Sequence, residues 1–310
     1  MSKKHLNTKI ITVGTHHPCV EVSYVDTKGQ ERKALMVVDT CCEDNHLFAR
    51  ANSDISIYEP HGLKQISCIV TGDTYIDEHC VSAMFMIDGI QFDEDFAMDE
   101  NTIFPSCTAL PIIGILGAKF MRKNKLAFDY RKMRLYRAKH KKIIFNNPNI
   151  QYITPIDFGF KLRGVPLVII FKNDNPYFAM ADSGSDTCII SQNWAGLADK
   201  IISQDSSINT IKNDESSYLY VEGPDALISF ELPSFKDWEN GSGDMFNCKA
   251  KAILVNSNNI LTTSFTTQKA NKSTLHNIDV VLGSPFMEQM KWIIDFRHKV
   301  IYTMKEPKAN

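Results

Sequence analysis

Ile115-Leu116-Gly117-Ala118-Lys119-Phe120-Met121 returns later in the chain as Val281-Leu282-Gly283-Ser284-Pro285-Phe286-Met287. The likeness runs on without a gap. Leu126-Ala127-Phe128-Asp129-Tyr130-Arg131 and Leu135-Tyr136 align with Trp292-Ile293-Ile294-Asp295-Phe296-Arg297 and Ile301-Tyr302. Gly117 precedes Asp129 by as many residues as Gly283 precedes Asp295, and Lys125 matches Lys291. Agreement in register over this length reads as an internal duplication.

A second shared feature lies upstream of each copy. Met36-Val37-Val38-Asp39-Thr40-Cys41-Cys42 and Ala179-Met180-Ala181-Asp182-Ser183-Gly184-Ser185 each carry an apolar run that ends in an Asp-Thr or Asp-Ser turn. An aliphatic residue, Leu47 or Ile190, follows at the same interval after each aspartate. Each half therefore reads as strand, Asp turn, β-rich middle, Leu-Gly turn, short helix, final strand. The halves span residues 10–137 and 152–303, and residues 138–151, basic and Asn-rich, read as a linker.

The chain between these landmarks is mostly β. Runs rich in β-branched and alternating apolar residues predict strands at Cys19–Tyr24, Leu35–Val38, Ile66–Val70, Met84–Ile87, Gln91–Phe96, Val165–Phe171, Tyr218–Val221, Ala226–Leu232 and Lys249–Val255. Asp88-Gly89 between two such runs predicts a two-residue hairpin turn. Short helices are expected over Phe120–Lys125 and Phe286–Trp292, and Glu239–Asp244 reads as a loop. Many short strands with turn punctuation favour barrel-like or sandwich lobes over βαβ units.

Composition narrows the function. The chain has 310 residues, 44% hydrophobic and 23% charged, and a formal net charge of -2. That balance gives no electrostatic reason to expect nucleic acid or an anionic membrane as partner. The apolar stretches Ala109–Ala118 and Val165–Phe171 fall short of the roughly 20 residues a spanning helix needs. No apolar run follows the basic N-terminus, because Asn7, Thr8 and Lys9 interrupt it, so a cytoplasmic location is expected. The eight cysteines show no CxxC spacing. A zinc site from Cys41, His46, His79 and Cys80 would match no common ligand pattern, so no metal or cofactor is expected.

The stretch from Ala179 to Ile190, with Asp182-Ser183-Gly184-Ser185 between hydrophobic residues, resembles the signature of the retropepsin-like aspartic proteases. The Leu-Gly segments before an Asp-bearing final strand resemble the closing element of the retroviral-type enzymes. An isolated Asp-Ser-Gly-Ser is a common turn. Two Asp turns, each followed by its Leu-Gly element in the same order, extend the likeness over nearly the whole chain. The resemblance implies a mostly β protein of two tandem acid-protease β-barrel lobes related by pseudo-two-fold symmetry. It implies a monomer that brings Asp39 and Asp182 together, and an extended peptide or protein substrate held between the lobes.

Two adjacent carboxyls suit amide hydrolysis without metal or nucleophile. One, ionised, takes a proton from water while the other, protonated, polarises the carbonyl. Like charges about 3 Å apart cannot easily both ionise, and the aspartic-protease dyad is itself the standard instance of that effect. In the family, hydroxyls at Thr40 and Ser183 would cross-brace the two turns, and the glycine after each would leave room for the opposite lobe. Gly184 fits that pattern. Cys41 departs from it, so strain or a shifted turn is expected there. The next position is Cys42 in one half and Ser185 in the other. A Ser185 hydroxyl donating to Asp182, with Cys42 a poorer donor, predicts Asp182 as the ionised base and Asp39 as the acid.

The candidate flap tip in the first half is Thr71-Gly72-Asp73 with Tyr75 beside it, and in the second Glu222-Gly223-Pro224. Asp129 and Asp295 are expected to pair with Arg131, Arg297 or backbone, and Gly117 and Gly283 to serve close packing behind the dyad. The histidines, His16 and His17 among them, are expected at the surface. Three readings follow: an aspartic endopeptidase acting through Asp39 and Asp182; a catalytically inactive peptide- or protein-binding module, which Cys41 favours; and a protease gated by oxidation of Cys41 or Cys42.

Overall fold

The computed structural model describes residues 5–14, 17–48, 63–67, 74–99, 108–138, 147–156, 165–191, 196–202, 223–234, 244–255, 264–269 and 272–305. Within these, 63–67, 74–79, 255, 264–269 and 272–277 are described by backbone alone. The candidate flap tip at Gly72, the expected strand Tyr218–Val221 and most of the expected loop Glu239–Asp244 lie outside the described residues. Tyr75 enters as a backbone position in the strand Thr74–Ile87.

Each half closes a six-stranded barrel. In the first, the order is His17–Val25, Glu31–Val38, Ile112–Leu116, Asn45–Phe48, Ile90–Asp99 and Thr74–Ile87. Ser23↔Met86 and Tyr24↔Phe85 pairing joins its ends. In the second, the order is Leu167–Lys172, Asn175–Asp182, Val280–Gly283, Cys188–Ser191, Met245–Val255 and Asp225–Pro233, closed at Phe171↔Glu231. The fold is two tandem retropepsin-like β-barrel lobes in which each strand has its counterpart.

Local sequence explains the strand types. Asp225–Pro233 alternates buried and open positions, as a strand with one face on a barrel interior must. Glu31–Val38 begins with three exposed residues and ends with five buried ones, Ala34 to Val38. The buried part lies where the strand pairs in parallel with Ile112–Leu116, and parallel strands covered on both faces read as continuous apolar runs. Asn175–Asp182 does the same against Val280–Gly283. Both strands that end in the aspartates are thus anchored by apolar residues before the turn begins. Asp88 and Gly89, at φ 52° and 69°, form the expected hairpin turn.

The halves also build a sheet together. Its order is Ile150–Pro155, Val300–Met304, Ile293–Asp295, Leu126–Asp129, Arg134–Arg137 and Asn7–Val13, antiparallel throughout, with three strands from each half. At its centre Phe128 pairs with Ile294, its own counterpart in the repeat, so the pseudo-two-fold axis passes there. Phe120, Phe128, Tyr152, Phe286 and Trp292 are buried in a core that runs through both lobes. Full burial of such side chains is worth about 1.5–3 kcal/mol each.

The short helices start slightly earlier than expected, at Ala118–Lys123 and Ser284–Gln289, each on the heel of its Leu-Gly turn. Of the partners expected, Asp129 and Asp295 take the backbone. Each caps its own turn: Asp129 Oδ1 accepts from Lys132 N at 3.0 Å and Asp295 Oδ1 from His298 N at 2.9 Å. Asp295 Oδ2 also meets His298 Nδ1 at 2.8 Å. The carboxylate is short enough to reach the amide three residues on, and that local bond wins over a longer reach to guanidinium.

Candidate active site

The two Asp turns meet back to back. Thr40 N donates to Ser183 Oγ at 2.8 Å, and Ser183 N donates to Thr40 Oγ1 at 2.9 Å. Each hydroxyl then donates across the interface to the strand before the opposite aspartate: Thr40 Oγ1 to Ala181 O at 2.6 Å, Ser183 Oγ to Val38 O at 2.7 Å. Thr40 and Ser183 are wholly buried, so these four bonds satisfy groups that water cannot reach. The cross-brace fixes Asp39 and Asp182 relative to one another.

The carboxyls face each other within this frame, Asp39 hydrogen-bonding to Asp182. Asp39 Oδ1 accepts from the amides of Cys41 at 2.8 Å and Cys42 at 2.9 Å. Asp182 Oδ1 accepts from Gly184 N at 2.9 Å. A β-carbon at Gly184 would overlap the Asp39 carboxylate, so the absence of a side chain is required there. Behind the turns, a β-carbon at Gly117 would run into the carbonyls of Asp44 and Cys42, and one at Gly283 into those of Thr187 and Ser185. These glycines serve close backbone packing, as their repeated place in the sequence suggests.

The hydrogen bond expected to set the proton assignment is not formed. Ser185 Oγ donates to Thr187 O at 2.8 Å and not to Asp182; Cys42 Sγ does the same toward Asp44 O at 3.2 Å. The hydroxyl and thiol brace their own loops, so they cannot set the two aspartates apart. Burial pushes the Asp39 carboxyl up, and the Cys41 and Cys42 amides, then His17 and His46, pull it back. Asp182 is held well above the ordinary carboxylate range, by burial first and the charge of Asp39 second, with Gly184 N–H opposing. Burial raises both carboxyls, and the charge of one opposes ionisation of the other, so the pair shares a proton.

Cys41 takes the place where the other turn has glycine. Its backbone is not in the left-handed region, so the turn carries no strain of that kind. The side chain crosses into the second lobe, where Sγ lies 3.3 Å from Ala181 O. It packs with Met180, Ile189 and Val281. Burial, then the nearby charges of Asp182 and Asp39, push its thiol well above the ordinary range. A neutral, buried thiol is a poor nucleophile and a poor site of oxidation, which weighs against redox gating at Cys41. Neither Cys41 nor Cys42 is in a disulfide.

Sequence reasoning missed several neighbours. His46, expected at the surface, is buried, and with His17 it acts electrostatically on Asp39. Position 46 follows Asp39 at the interval by which Ile189 follows Asp182, so alignment of the halves carried the signal. Tyr130 and Ser284, also buried, form a hydrogen-bond chain to the second turn. Of the second candidate flap tip, Glu222 lies outside the described residues, and Gly223 and Pro224 precede the strand Asp225–Pro233, with Leu254 N donating to Pro224 O at 3.0 Å. Ile202 N already bonds Asp225 O there, closing the base of that connection. Among the described residues, no group of three or more His, Cys, Asp or Glu is placed to hold a metal ion. No helix among them is long and apolar enough to cross a membrane.

The fold and the paired turns define a two-lobed, double-barrel protein with one aspartate presented by each lobe. No family model and no curated protein matches the chain. Among solved structures it is similar to conglutin gamma, a basic 7S globulin from lupine seeds, with a TM-score of 0.52 and 8% identity over 98% of this chain and 95% of that one. Basic 7S globulin from soybean aligns with a TM-score of 0.49 and 10% identity, over 98% and 95% of the two chains. At these identities the first likeness shows the double-barrel fold.

Proposed function

We propose that the chain binds extended polypeptide between its lobes and hydrolyses it as an aspartic endopeptidase. The observation that supports this reading is the pair of facing carboxyls, Asp39 and Asp182, held by the reciprocal Thr40–Ser183 brace and hydrogen-bonded to one another. One carboxyl of the pair takes a proton from the attacking water. The other donates to the scissile carbonyl, and the pair then helps discharge the amine. Both groups come from one chain, so a monomer suffices.

A second reading is a peptide- or protein-binding module without turnover. It is favoured by Cys41, whose side chain fills the space that glycine leaves open beside Asp39 in the other turn. The likeness to conglutin gamma weighs on this side too, since it puts the same fold in a protein described as a seed globulin. Incubation of the purified chain with a mixed peptide library from acid to neutral pH separates the two. Cleavage lost in both Asp39→Asn and Asp182→Asn supports the endopeptidase. Peptide retention without cleavage, unchanged in those variants, overturns it in favour of the binding module.

A further inference from the structure

The two aspartate turns are braced alike from the front and differently from behind. Ser284 Oγ donates to Ser183 O at 2.9 Å. Since that hydrogen is committed, the Tyr130 hydroxyl, 3.0 Å from Ser284 Oγ, is the donor to it. The next peptide group in line is Ser183–Gly184, whose N–H donates to Asp182 Oδ1 at 2.9 Å. One chain of donors thus runs from Tyr130 through Ser284 and the Ser183–Gly184 peptide into the carboxyl.

The first lobe has no such chain. In the repeat, Ala118 stands where Ser284 does and Phe296 where Tyr130 does. Their backbones are equivalent: Ala118 N bonds Cys42 O at 2.7 Å and Ser284 N bonds Ser185 O at 2.8 Å. Tyr130 N bonds Trp292 O at 2.9 Å and Phe296 N bonds Leu126 O at 3.0 Å. The hydroxyls are the difference, and Tyr130 and Ser284 are both buried, out of reach of water. Hydrogen bonds in series polarise one another in such surroundings.

We infer that Tyr130 and Ser284 are positioning residues for Asp182: they polarise the Ser183–Gly184 peptide and so strengthen the amide hydrogen bond that holds its carboxyl. This rests on the paired-carboxyl reading of the site. Loss of either hydroxyl weakens a bond made to the charged form, so Asp182 holds its proton to higher pH in the variants.

The test is a carbon-13 NMR titration of the aspartate carboxyls in the full chain, for the wild type, Tyr130→Phe, Ser284→Ala and the double variant, with Asp182→Asn assigning the signals. The Asp182 titration is expected to move upward by about half a pH unit in each single variant and no further in the double. Phe and Ala are the residues that the first lobe tolerates in the same places, and Ser284→Ala carries the test alone if Tyr130→Phe does not fold. If the chain cleaves peptide, the same shift appears in the pH profile of kcat/KM with KM unmoved. A lower unfolding midpoint with the Asp182 titration unmoved means a merely structural contact and overturns the inference, as do additive, independent shifts. Carboxyls that titrate independently in the wild type count against the dyad itself; the Asp182 shift in the variants still decides the positioning role.

Discussion

Gly184 lies against the side chain of Asp39, so closely that no β-carbon fits between them. Its counterpart Cys41 carries a side chain and still packs, because the thiol turns toward Ala181 O and the apolar cluster of the second lobe. Gly184→Ala is therefore expected to displace the Asp39 carboxylate, abolish any cleavage and cost about 1–3 kcal/mol of stability by overpacking. Thermal unfolding beside a peptide-cleavage assay checks both. A fully folded, fully active Gly184→Ala protein would contradict the geometry.

Cys41→Gly gives the first turn the glycine that the second carries at Gly184. If turnover is the function, this variant cleaves faster than the wild type, by several-fold or more, at some loss of stability from the vacated apolar contact. Equal rates in the two proteins would show that the thiol does not obstruct the reacting water.

The cross-brace is worth more than its bonds taken singly. Thr40→Val removes a hydroxyl that donates to Ala181 O and accepts from Ser183 N, leaving the buried Ser183 N–H without its acceptor and Ala181 O with the weaker Cys41 thiol donor. A loss of about 2–4 kcal/mol is expected, and a similar one for Ser183→Ala. The double variant should lose clearly less than the sum, because the bonds share partners. Urea unfolding of the four proteins measures the coupling.

Acid should stabilise this protein at its cleft. Asp182 has a folded-state pKa well above the ordinary 3.8, for burial and the charge of Asp39. Asp279, which accepts from Phe178 N at 2.7 Å, is pushed up to about 6 by burial. A carboxyl raised in the folded state adds stability that is fully present below about 3.8 and is lost as pH rises through its folded value. The unfolding midpoint of the wild type should then fall between pH 4 and 6 relative to Asp279→Asn, which keeps the acceptor for Phe178 without the charge. Parallel pH curves for the two proteins would refute the shift at Asp279.

Much of this architecture was written in the repeat. The match of Gly117 with Gly283 and of Asp39 with Asp182 told of two lobes, because identical spacing demands identical local geometry. The structure extends the match to backbone that no residue name reveals. Lys125 and Lys291, at φ 54° and 52°, and Met133 and Lys299, at φ 48° and 57°, take the left-handed turn at equivalent places with unlike or unfavoured side chains. The flanking strands impose that conformation, and intrinsic preference does not announce it.

The amino-acid sequence alone determined the duplication, the barrel class and the two aspartates, because these depend on spacing and apolar pattern along one chain. How the two carboxyls are brought together, where Ser185 and Cys41 direct their side chains, and the one-sided chain from Tyr130 through Ser284 were decided in three dimensions. Each of these depends on distances between atoms far apart in sequence, and on the burial that gives a hydrogen bond or a charge its weight. A pattern of residues cannot carry that information until the lobes have closed on one another.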